Sequence, residues 1–63
     1  MTKEEFKAAR LKLGLTQEQI SLDLGEKDKT RYAIRTVASW ELGEREVPPA
    51  VGKLVKLMLM ANG

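Results

Sequence analysis

Thr36-Val37-Ala38-Ser39-Trp40-Glu41-Leu42-Gly43, residues 36–43, is the stretch on which the fold turns. It is a run of helix-compatible residues that ends in a glycine and carries the single tryptophan of the chain. At 3.6 residues per turn Val37, Trp40 and Glu41 share one face, while Arg35, Ser39 and Leu42 point away from it. One side of this helix is therefore expected to be buried and the other to stand free. The free side is the candidate functional surface.

Upstream, the helical pattern reaches back to Tyr32 or Ala33, and Glu26-Lys27-Asp28-Lys29-Thr30-Arg31, with no apolar residue, reads as a loop. Thr30 could also cap a helix that begins earlier. Before the loop, Leu15-Thr16-Gln17-Glu18-Gln19-Ile20 carries a helix-start signal. Thr16 and Gln19 form a capping box, and Leu15 and Ile20 occupy the positions of a hydrophobic staple. A short helix over 17–24 follows, with Ile20 and Leu24 inward, Ser21 as a small residue suited to close approach, and Gly25 as its stop. At the start of the chain Thr2 and Glu5 form another capping box and open a helix over 3–13 that Gly14 ends. Its inner stripe is Phe6, Ala9, Arg10 and Leu13. Arg10 is a cation on a core-facing stripe, so either its stem snorkels outward or a buried anion meets it.

Downstream, Glu44-Arg45-Glu46-Val47 is an exposed connection, and Pro48-Pro49 opens a last helix over 49–61, where a proline in the first turn loses no hydrogen bond. Val51, Leu54, Val55 and Met58 make its core stripe. Leu57, Leu59 and Met60 fall outside that stripe, leaving more apolar surface than one small domain can bury. The expected fold class is all-α, a single four-helix domain over residues 1–63 with helices at about 3–13, 17–24, 33–42 and 49–61.

Composition narrows the chemistry. Sixty-three residues support one small core worth about 3 to 5 kcal/mol, so a partner subunit or ligand is expected to add support. The chain has neither cysteine nor histidine, which removes disulfides, thiol nucleophiles, the usual zinc ligands and the commonest general base. Glu4, Glu5, Glu18, Asp23, Glu44 and Glu46 sit at helix starts or in the exposed connection and do not converge, so neither an enzyme nor a cofactor is expected. No apolar run approaches about 18 residues, and Thr2-Lys3-Glu4-Glu5 is charged where a leader would be apolar; the expectation is a cytoplasmic protein. The net charge is +2. Its distribution says more, because residues 26–35 hold Lys27, Lys29, Arg31 and Arg35 against Glu26 and Asp28, just ahead of the Trp40 helix.

Phe6 through Ile20, with its Leu13-Gly14-Leu15-Thr16-Gln17 core, then Leu24-Gly25, then Thr36-Val37-Ala38-Ser39-Trp40-Glu41-Leu42-Gly43, resembles the helix-turn-helix of the phage-repressor and Cro class of regulators. Val47-Pro48-Pro49-Ala50-Val51 ahead of a leucine-rich helix resembles members of the class as well. The resemblance implies a four-helix repressor-like domain that binds double-stranded DNA and regulates transcription, acting as a repressor by occluding its operator. It implies that the Trp40 helix enters the major groove, with Ile34, Arg35, Ala38 and Ser39 facing bases and Arg35 the best candidate to read a guanine. Thr16 and Gln17 would approach a phosphate at the second helix's amino end. Arg10 would pair with Glu41. Two-fold dimers on half-sites about 34 Å apart imply a palindromic operator, with Leu57, Leu59 and Met60 at the homodimer contact.

The chain departs from the class in one place. Members have about six residues between the second helix's glycine and the first buried aliphatic of the recognition helix, whereas Val37 lies twelve positions beyond Gly25. The extra residues are expected to form a basic loop in which Lys27, Lys29 and Arg31 reach phosphates, with Arg45 contributing from the far side. Tyr32 either joins the groove contact or covers the core. The alternative reading is an antitoxin-like or other protein-interaction module that pairs through its last helix.

Overall fold

Thr2 and Glu5 begin the first helix by satisfying each other. The Thr2 amide donates to Glu5 Oε1 at 2.9 Å and the Glu5 amide donates to Thr2 Oγ1 at 3.1 Å, which occupies two of the amides that a helix start leaves open. In the computed structural model, which describes residues 1–29 and 32–62 with Asp28 as backbone only, this helix is α1, Lys3–Lys12. Gly14, at φ 72°, turns the chain out of it in the left-handed region that glycine enters without steric penalty.

The bond from the Thr2 amide, helped by the Thr2 hydroxyl, holds the Glu5 carboxyl below its ordinary value of 4.5. A carboxyl lowered on folding stabilises the fold above its unfolded pKa, and that contribution is lost as pH falls through the lowered folded value. A titration of the Glu5 carboxyl carbon by NMR is therefore expected to show a midpoint below 4.5. A midpoint at or above that value would mean the box is open in solution.

Thr16 and Gln19 repeat the device at α2, with the Thr16 amide 3.0 Å from Gln19 Oε1 and the Gln19 amide 3.1 Å from Thr16 Oγ1. This helix runs Gln17–Asp28, one turn further than Gly25 predicts. Gly25 lies inside it, and the left-handed cap is Lys29 at φ 55°. A mid-helix glycine costs about 1 kcal/mol relative to alanine, less than the hydrogen bonds that end with the helix, and Glu26 and Lys27 are themselves good helix formers. Residues 26–28, expected in a loop, are corrected to the last turn of α2, capped by Lys29; Arg31 of the same expected loop lies outside the described residues. Thr30, considered as a cap, lies outside the described residues.

α3, Ile34–Leu42, follows Ala33, which offers no side-chain cap, and ends at Gly43, φ 82°. α4, Pro49–Asn62, starts with Pro49 in its first turn, where the missing amide is not needed, and the Gly52 amide reaches Pro48 O at 3.0 Å. α1 and α2 each pack on both α3 and α4. Between them lies one core of Phe6, Ala9, Ile20, Leu24, Val37, Trp40, Val47, Val51 and Val55. Among the described residues the fold is all-α with four helices, as the periodicity predicts. No helix among the described residues is long and apolar enough to cross a membrane.

Leu59 departs from expectation. It is half-buried against the core, not outside it. Gly52, on the same edge of α4, is buried, and a side chain there would meet Met1 Cβ at 3.3 Å. Met1 and Leu59 are both partly buried against the core, so the buried arc of α4 is wider than its Val51, Leu54, Val55 and Met58 stripe.

Candidate nucleic-acid interface

Two anchors fix α3. The indole of Trp40 sits in the core between two other rings, with its centroid 5.5 Å from Phe6 and 5.3 Å from Tyr32, both edge-on at 77° and 64°. Edge-to-face pairs of this kind add about 0.5 to 1.5 kcal/mol beyond the area they bury. Tyr32 covers the core in this arrangement.

The second anchor is ionic. Arg10 Nε donates to Glu41 Oε2 at 2.7 Å and Nη2 to Glu41 Oε1 at 3.0 Å, a two-pronged pair whose side chains are 11% and 7% exposed. Arg10 Nη1 donates to Leu15 O at 3.0 Å. One guanidinium thereby ties α1, the connection to α2, and α3. Of the two fates the sequence leaves open for Arg10, the structure shows the buried anionic partner.

With that side occupied, the opposite edge of α3 is open. Ile34 is 45% exposed, Leu42 is 68% exposed, Arg35 is exposed, and Ala38, lying between them, is half-buried. At 100° per residue these four occupy one continuous arc about 100° wide.

Ser39 is not part of it. It is 8% exposed, and its hydroxyl donates to Thr36 O at 2.6 Å. The left-handed turn at Gly43 folds the following chain back, so that the Glu44 and Arg45 amides both donate to Ser39 O, at 3.0 and 3.3 Å, and cover the residue. The placement of Ser39 on the free, base-facing side is corrected accordingly. Leu42, which periodicity already places on the free side, lies in this arc between Ala38 and Arg35, although the residue set implied by the resemblance leaves it out.

The flanks carry charge. Arg35 and Arg45 line a shallow hollow of about 180 Å³ with Thr36, Ser39 and Glu44. At the start of α2, Thr16 is exposed and Gln17 half-buried, beside the Gln17 and Glu18 amides, which the capping box does not occupy. Lys29 is exposed at the end of α2. Lys27 belongs to the last turn of α2, where it shares a hollow with Leu13, Leu15, Asp23 and Met58 on the side facing α4. Arg31 lies outside the described residues. Leu57 and Met60 are exposed on α4. Among the described residues no three metal-ligating side chains converge.

No protein-family model matches the chain, nor does any curated protein or solved structure.

Proposed function

We propose that the chain binds a specific site on double-stranded DNA, with α2 and α3 as a helix-turn-helix of the phage-repressor and Cro kind, and acts as a small cytoplasmic regulator that represses by occlusion. The observation that carries the reading is the division of α3. Trp40 and Glu41 are locked into the protein, while the edge bearing Ile34, Arg35, Ala38 and Leu42 is left bare on a helix of nine residues, narrow enough to enter a major groove about 12 Å wide. A guanidinium on that edge can make two hydrogen bonds to guanine O6 and N7. The first-turn amides of α2 with Thr16 and Gln17, together with Lys29 and Arg45, would meet phosphates. Lys27, turned toward α4, is left out of that set.

Selection of bound sequences from random duplexes tests this directly. The parent is expected to enrich one sequence, and Arg35→Ala is expected to relax the preference at one base pair per half-site, at a cost of about 1 to 3 kcal/mol. Arg45→Ala is expected to weaken all duplexes alike and to lower the slope of log affinity against log salt by about one. Enrichment of no sequence by the parent would end the regulator reading. A uniform loss in Arg35→Ala would move that residue to the phosphate set.

Leu57 and Met60, the outward apolar residues of α4, are the proposed contact of a homodimer on a palindromic site. Sedimentation is expected to show a dimer, in solution or on DNA, that Leu57→Lys disrupts. A monomer both free and on DNA would remove that contact. The same two residues support an antitoxin-like module as the second reading, in which a different small protein closes the α4 face.

A further inference from the structure

The bare edge of α3 has an unusual composition for a surface in water. Ile34, Ala38 and Leu42 follow one another at four-residue intervals, a row about 12 Å long at 1.5 Å per residue, and Arg35 stands beside it as the arc's one charge. The helix's own carboxylate, Glu41, is bound by Arg10 on the other side. An edge of this kind is complementary to a surface that is negative and also offers apolar groups at regular spacing. In the major groove the thymine 5-methyl is the apolar group on display; the remaining groups are donors and acceptors that an aliphatic side chain would desolvate without replacement.

We infer that the half-site contains thymines whose 5-methyl groups pack against Ile34, Ala38 and Leu42, flanking the guanine read by Arg35. The row spans between three and four base-pair steps of about 3.4 Å, so the methyls fall within about five consecutive base pairs. Specificity then comes from two sources on one helix, a pair of charge-assisted hydrogen bonds and a strip of methyl contacts. Leu42, at the end of the helix, sets the outer limit of the sequence that is read.

The inference rests on the duplex-binding reading, and its test separates the two. The duplex obtained by selection is remade with deoxyuridine in place of each thymine, which removes the methyl and keeps the base pair. Each contacted position is expected to lose about fourfold in affinity, the effect of one buried methyl-sized group. Leu42→Ala and Ile34→Ala, both at exposed positions, are expected to keep the parent's helical circular dichroism and to abolish the thymine–deoxyuridine difference at one position each. A selected duplex that binds equally well with every thymine replaced overturns the inference and leaves the regulator reading standing. A parent that selects no duplex overturns both. Concentration-dependent self-association without DNA that Leu42→Ala abolishes would identify the edge as a subunit contact, and that also overturns the inference.

Discussion

Trp40→Ala is expected to leave the chain largely unfolded at 25 °C. Replacing a buried tryptophan by alanine costs about 3 to 5 kcal/mol, and a core of this size supplies about the same in total. Nothing nearby can collapse into the space without loss, because Phe6 and Tyr32 both pack edge-to-face with the indole and would each lose a ring contact. The measurement is far-UV circular dichroism with a urea titration. The expected result is loss of most helical signal and of any cooperative transition, with Trp40→Phe intermediate. A variant that melts cooperatively within a few degrees of the parent would show that α3 is held by something other than its indole side.

Glu41→Ala is the second large effect, expected at about 3 kcal/mol, because it strands the Arg10 guanidinium in a site that is 11% exposed, with the Leu15 carbonyl as its remaining acceptor. Arg10→Ala is expected to cost a similar amount by stranding the carboxylate. The informative variant is the double replacement Arg10→Met with Glu41→Leu. Removing both charges removes both desolvation penalties, and an apolar pair of similar volume restores contact between α1 and α3, so the double variant is expected to be more stable than either alanine variant. Should the double variant be as unstable as the sum of the two, the pair would owe its worth to its hydrogen-bond geometry. If each single change costs less than about 0.5 kcal/mol, the range of a surface pair, the ionic anchor does not hold α3.

What is legible in the sequence is what local chemistry decides. Thr2 with Glu5, and Thr16 with Gln19, specify helix starts through bonds that span three residues, and Gly14 and Gly43 specify exits through a backbone conformation that few other residues adopt freely. Val37 and Trp40 follow from periodicity alone. The Arg10 to Glu41 pair spans 31 residues, and there periodicity says no more than that each side chain lies on the inward face of its own helix. Three misreadings share a cause. Gly25 reads as a stop because glycine's backbone freedom permits a turn there without requiring one. Ser39 reads as free because the angle around α3 says nothing of a chain folding back over it. Leu59 reads as outward because the stripe of α4 says nothing of how widely the other helices wrap around it. In each case the deciding information lies outside the residue's own helical period.

The place of Trp40 also makes the protein its own optical probe. A lone indole, 2% exposed and wedged between two rings, emits from a dry site, so unfolding should shift its fluorescence to the red while acrylamide scarcely quenches the folded state. Because the ring lies on the far side of α3 from Arg35 and Leu42, a ligand on that edge has no direct contact with the fluorophore. A spectral change on titrating duplex would thus report α3 shifting in its seat, and an unchanged spectrum with tight binding would mark the helix as a rigid reading head.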